Sequence, residues 1–84
     1  PAAWCELTDA TGEAVAVKVF ETEKIQETHQ LVPGTIVTDG KNYLKIAATD
    51  GFVGILTLQL PGKKRLRTDE LLRGYKIDKT ALMR

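Results

Sequence analysis

Hydrophobic and polar positions alternate over several short segments of the chain, a period typical of β-strands. The clearest segment is residues 14–22, which is rich in the β-branched residues that strands favour. Two sets of its side chains face opposite ways: Val15, Val17 and Val19 on one face, and Ala16, Lys18 and Phe20 on the other. We predict that this segment is the first long strand.

Three further strands are predicted downstream, at residues 35–38, 43–48 and 52–60, after a polar connection at 23–31. Turn residues separate them: Pro33-Gly34, Asp39-Gly40 with Lys41-Asn42, and Asp50-Gly51. The alternation puts two sets on one face each: Leu44, Ile46 and Ala48 in the middle strand, and Leu56, Leu58 and Leu60 in the last. The three strands are expected to form a meander.

The last part of the chain predicts one short helix, at residues 68–73. Thr68 is the expected N-cap, and Gly74 is the expected left-handed residue after its end. Leu71 and Leu72 can then plug a barrel end or a groove. Four or five short strands closed by one helix predict an all-β fold, a small OB-like Greek-key barrel, with an open β-sandwich as the alternative.

Length and composition indicate one globular domain spanning all 84 residues, since 43% of them are hydrophobic and 27% are charged. No apolar run approaches the ~20 residues of a membrane span, so no membrane association is expected. The chain starts at Pro1 and its one methionine is Met83, which favours excision from a longer polypeptide. The single Cys5 fits a reducing, cytoplasmic setting.

Charge is distributed unevenly, although the net charge is only +1. Residues 1–30 carry six acidic side chains against two lysines, whereas residues 60–77 carry six cations against two acids. Four of these cations form one cluster: Lys63, Lys64, Arg65 and Arg67. A cationic loop between a strand and a helix is either a solvated face or a contact for phosphate groups. In the second case it positions a polyanion without reading its bases.

The residues do not provide a catalytic site. There is no serine, and a single cysteine and a single histidine allow neither a Ser-His-Asp triad nor a zinc site with ordinary spacing. We therefore expect no catalytic residue, metal or cofactor in this chain, and His29 is interpreted as a solvated loop residue. Trp4 and Phe52 are expected in the core and Tyr43 and Tyr75 at the surface, too few aromatics for a base-stacking platform.

Residues 58–66, Leu-Gln-Leu-Pro-Gly-Lys-Lys-Arg-Leu, with the Glu-Leu-Leu-Arg-Gly of 70–74, resemble the signature near the C-terminus of methionyl-tRNA formyltransferases. Leu66 departs from the family's more usual methionine, a volume-conserving change. Three further marks agree in order and approximate spacing: Pro1-Ala2-Ala3-Trp4, Pro33-Gly34-Thr35 and Asp50-Gly51.

The resemblance implies a two-domain enzyme that moves a formyl group from 10-formyltetrahydrofolate to the methionine of initiator tRNA. This chain would be its C-terminal domain, which is expected to be monomeric and inactive alone, with the phosphate backbone of initiator methionyl-tRNA and its own catalytic domain as partners. By motif the tRNA surface includes Lys63 and Lys64. Charge alone adds four more residues: Arg65 and Arg67, and less strongly Lys41 and Lys45.

Two other functions fit the same barrel. It can be a structural or interaction module of another formyltransferase, acting on a nucleotide sugar or on folate. It can also be a free-standing OB protein that binds single strands, which would need exposed aromatic residues in a groove. The motif Gly62-Lys63-Lys64 distinguishes the tRNA-positioning domain from the module of another formyltransferase, because we expect this motif only where RNA is held.

Overall fold

The computed structural model describes residues 3–8 and 11–77, and these form six β-strands and one short α-helix. In chain order they are β1 (Ala3–Thr8), β2 (Ala14–Gln26), β3 (Ile36–Thr38), β4 (Leu44–Ala48), β5 (Gly51–Gln59), β6 (Leu66–Arg67) and α1 (Thr68–Leu72). The predicted mainly β class with one short helix is confirmed. Of the family marks, Pro1 and Ala2 lie outside the described residues.

The strands pair antiparallel in one sheet with the order β1-β2-β5-β4-β3, and β6 pairs with β5. Consecutive hairpins join β3, β4 and β5, while the long connection 27–35 lets β2 lie on the far side of β5. This is a Greek-key arrangement. The sheet curls into a half-barrel of the OB-like kind. The sandwich alternative is wrong, because every described strand belongs to this sheet.

The core lies inside the curl, and α1 contributes two leucines to it. Leu71 and Leu72 are 4% and 5% exposed and belong to the core cluster, so their predicted packing on the sheet is confirmed. The buried cluster contains residues from five strands, the helix and the segment after it: Leu7, Val17, Val19, Ile36, Leu44, Ile55, Leu58, Leu71, Leu72 and Ile77. The helix has five residues, and the described part of the chain contains no helix able to span a bilayer.

Strand patterning differs from the prediction in β5 and β2. β2 continues to Gln26, so residues 23–26 are strand rather than connection. Register shifts near Glu21 leave Phe20 in β2 and Leu56 in β5 without opposite partners. Such shifts change which face the following side chains take. Leu56 is therefore 41% exposed while Leu58 is fully buried, and the prediction that these leucines share one face is wrong.

The ends of the helix also differ from the prediction. Arg67, not Thr68, is the N-cap, and its backbone N–H donates to the Glu70 carboxylate at 3.2 Å. Thr68 is buried in the first turn and its hydroxyl donates to the carbonyl oxygen of Ile55 at 2.5 Å. Gly74 does not adopt a positive φ, so its predicted left-handed conformation is wrong.

The connection between β2 and β3 is fastened by His29, which was interpreted as a solvated loop residue. Its Nε2 lies 2.7 Å from the carbonyl oxygen of Ala48 and 2.9 Å from that of Gly51. Its Nδ1 accepts a hydrogen bond from the backbone N–H of Leu31 at 2.9 Å, so Nε2 carries the proton. The ring also packs on Phe52, with centroids 4.6 Å apart. The interpretation as a solvated residue is wrong.

Candidate nucleic-acid interface

The cationic segment 63–67, called the basic loop below, begins in a tight turn after β5. The backbone N–H of Lys63 donates to the carbonyl oxygen of Leu60 at 3.1 Å. Pro61 fixes the first central position of this turn, and Gly62 takes φ 71° at the second. Proline followed by a positive-φ glycine is the pattern of a type II turn, which explains the Pro-Gly pair.

The rest of the basic loop is fixed to the sheet. The side-chain amide of Gln59 donates to the carbonyl oxygen of Lys63 at 2.7 Å. At the other end Leu66 and Arg67, the two residues of β6, pair with β5. The buried hydroxyl of Thr68 then holds the start of α1 to the same strand. The backbone of the basic loop is therefore held in place while its side chains point outward. This ordering reduces the entropy cost of binding a ligand.

The structure brings together the four cations of the basic loop, and all four are exposed: Lys63, Lys64, Arg65 and Arg67. Arg65 stacks its guanidinium over the ring of Phe20, with Cζ 3.7 Å from the centroid. Arg67 Nε lies 3.4 Å from Asp69 Oδ1, although its side chain stays 76% exposed. An ion pair this exposed is weak, so Arg67 keeps most of its capacity to meet an anion.

Lys45 is placed differently from the basic loop. Its side chain is only 21% exposed, and its Nζ lies 3.4 Å from Glu27 Oε1 and 4.2 Å from the centroid of the Phe52 ring. Together with Arg67 it lines a groove of about 680 Å³ on the sheet. The groove also contains three carboxylates: Glu21, Glu23 and Asp69. Its mixed charge suits a polyanion less well than the basic loop does.

Lys41 is exposed in the turn before β4. The carboxylate of Asp39 organises this turn, because its Oδ1 accepts the backbone N–H groups of Lys41, Asn42 and Tyr43 at 2.9, 2.7 and 3.1 Å. These hydrogen bonds, led by that from Asn42, hold the pKa of Asp39 well below its usual range. The backbone at Lys41 is therefore ordered while its side chain remains in solvent.

Aromatic residues are distributed differently from the sequence-based expectation. Phe52 is 5% exposed, as expected for a core residue, and Tyr43 is 44% exposed, as expected for a surface one. Trp4 was expected in the core but is 65% exposed. In β1 the buried Leu7 and half-buried Cys5 turn inward, so Trp4 turns outward. The alternation of residues 3–8 could have indicated that Trp4 faces outward, but strand β1 was not predicted from the sequence.

The described residues contain no group of three or more metal-binding side chains of the His, Cys, Asp and Glu types. Cys5 is half-buried, and burial raises the pKa of its thiol. A raised pKa leaves less thiolate at neutral pH and makes the sulfur a poor nucleophile.

Residues 1–76 match the family model described as formyl transferase, C-terminal domain. The chain is similar to proteins named methionyl-tRNA formyltransferase. It is 66% identical to that of Bacteroides thetaiotaomicron over 92% of the chain and 24% of the relative. The corresponding figures are 61%, 100% and 26% for Bacteroides fragilis, and 45%, 88% and 23% for Flavobacterium johnsoniae. The chain spans about a quarter of the length of these relatives.

Proposed function

The chain belongs to the formyl transferase C-terminal domain family, and from that premise we propose that it is the tRNA-positioning domain of a methionyl-tRNA formyltransferase. The parent enzyme transfers a formyl group from 10-formyltetrahydrofolate to the amino group of methionine on initiator tRNA. In this proposal the reaction takes place in a catalytic domain that precedes the chain. The role of this domain is to hold the tRNA so that its aminoacylated end reaches that site.

The observation that carries the proposal is the anchored basic loop. Its exposed lysines and arginines are held by a turn at one end and by strand pairing at the other. Phosphate oxygens are the natural ligands of such a surface, and contacts to them fix the register of a nucleic acid without reading its sequence. Backbone contact of this kind suits a domain that positions one large RNA for chemistry elsewhere.

The test is steady-state kinetics of the parent enzyme carrying Lys63→Ala with Lys64→Ala. If about three or four phosphates are neutralised, log affinity falls with log salt at a slope of about −2 to −4. Removing the two lysines should make this slope less negative by about one to two. It should also raise the KM for methionyl-tRNA on the order of tenfold. The KM for the folate donor should stay unchanged, because the donor does not reach this domain.

Lys24→Ala is the matched control, since it removes an exposed lysine from β2 outside the basic loop. It should leave both KM values and the salt slope unchanged. An unaltered tRNA KM with a normal slope in the double variant would show that the basic loop is only a solvated face. The domain would then be a structural or interaction module of a formyltransferase.

A further inference from the structure

Two aromatic rings and two cations form a continuous line on the outer face of the sheet. Lys18 Nζ lies 5.6 Å from the centroid of the Trp4 ring and 5.3 Å from that of Phe20. Arg65 covers the Phe20 ring at 3.7 Å. We call these four residues the stacking strip: Trp4, Lys18, Phe20 and Arg65.

Strand pairing fixes the direction of the strip. Trp4 in β1 stands opposite Lys18 in β2, and Lys18 stands opposite Gln59 in β5. Gln59 in turn holds the main chain of Lys63. Because directly opposite residues point to the same face, this row crosses three strands and ends at the basic loop. Phe20, released from regular pairing by the register shift, supports Arg65 beside it.

The core does not account for Trp4. The residue is 65% exposed, which leaves a large apolar side chain in water next to an ammonium group. An exposed indole flanked by cations offers a face for a planar base and charges for the phosphates on either side. The cations of the strip continue those of the basic loop, so the charge favours a nucleic acid over a protein surface.

We propose that the stacking strip takes an unpaired nucleotide of the bound RNA, with the base on the Trp4 ring and the flanking phosphates at Lys18 and Arg65. The proposal rests on the proposed function and extends it. The basic loop meets the backbone of a structured tRNA, and the strip adds a stacking contact at the edge of that footprint. Stacking accepts any base, so this contact adds affinity without base specificity.

Trp4 is the one tryptophan of the chain, so its fluorescence reports on this site directly. Three probes are titrated into the chain: unfractionated tRNA, a short oligoadenylate, and inorganic polyphosphate. tRNA and oligoadenylate should quench the emission saturably and protect the ring from acrylamide. Polyphosphate should compete for the cations without that quenching, because it has no base to stack.

Variants separate stacking from charge, with binding followed by the anisotropy of labelled tRNA. Trp4→Ala should weaken tRNA binding about 5- to 100-fold and leave the salt slope unchanged, whereas Trp4→Phe should retain most of the affinity. Circular dichroism should show the fold unaltered, since the side chain is exposed. Val32→Ala is the matched control, because Val32 is also 65% exposed but lies in the connection between β2 and β3, away from the strip.

Two results would overturn the strip and leave the proposed function intact. One is tRNA binding with normal salt dependence while Trp4 stays accessible to acrylamide. The other is a Trp4 that is already shielded in the parent enzyme without RNA, which would assign the ring to a contact with the catalytic domain. If neither tRNA nor polyphosphate binds, the proposed function fails together with the strip.

Discussion

At the scale of single residues, a few polar side chains connect segments that the sheet does not pair. The hydroxyl of Thr68 reaches across to β5, and the carboxylate of Asp39 closes the turn before β4. His29 does the same for the long connection between β2 and β3, since both of its ring nitrogens bond to main-chain groups. Each of these polar side chains makes hydrogen bonds to main-chain groups and so stabilises the fold.

His29→Ala should therefore destabilise the domain, although the residue lies in a connection. The substitution removes hydrogen bonds worth about 0.5–1.5 kcal/mol each, together with the packing on Phe52, so a loss of about 1–3 kcal/mol is expected. Urea unfolding measures it. The exposed neighbour Gln30→Ala is the control and should stay within about 0.5 kcal/mol. Equal effects for the two variants would mean that the His29 bonds do not hold the connection in solution.

At the scale of elements, α1 is too short to be stable alone, so its packing must hold it. Leu71 and Leu72 bury against the inside of the curled sheet, and the helix starts where β6 ends. The basic loop is thus held between the turn at Gly62 and a helix that depends on the core. The position of the charged side chains follows from this packing.

Leu72→Ala tests this dependence. Leu72 is 5% exposed, and truncation of a leucine at such a site costs about 2–4 kcal/mol, a large share of a small domain's stability. Leu56→Ala removes the same atoms at a side chain that is 41% exposed, and it should cost less than about 1 kcal/mol. The measurement is thermal or urea unfolding of both variants. A change below about 0.5 kcal/mol for Leu72→Ala would show that the helix does not dock as described.

At the scale of the whole molecule, the residues proposed to bind RNA lie close together, whereas the single histidine of the chain serves the fold. The basic loop and the stacking strip share one region of the sheet through Arg65. The single histidine of the chain has both ring nitrogens engaged with the main chain. General acid-base catalysis on an amine needs a titratable group placed at the reacting atoms, and the proposed function assigns that group to the catalytic domain.

The purified chain should therefore show no formylation of methionyl-tRNA in the presence of 10-formyltetrahydrofolate, while still binding tRNA weakly. An assay of formyl transfer at high chain concentration, with the parent enzyme as positive control, measures this. Added to the parent enzyme, the chain should compete for tRNA at low salt and lose this effect as salt rises. Formylation above background by the chain alone would contradict the assignment of catalysis to another domain.

The sequence by itself determined the features that neighbouring residues encode. Three features are each encoded by adjacent residues, so local chemistry was enough to predict them: the Pro61-Gly62 turn, the charge of the basic loop and the two leucines of α1. The all-β class followed from alternation in the same way. The family resemblance rests on this part of the chain, and the family model that covers residues 1–76 confirms it.

The tertiary structure decided what depends on pairing between distant segments. Phe20 and Leu56 have no opposite residue in the paired strand, because of register shifts that no local sequence pattern predicts. A shift of this kind moves the side chains that follow it to the other face of the sheet. His29 finds carbonyl groups about twenty residues away. Trp4 meets Lys18 only because β1 pairs with β2, and Lys18 meets Arg65 only through Phe20. Long-range pairing sets these neighbours, and sequence patterns describe local preference alone.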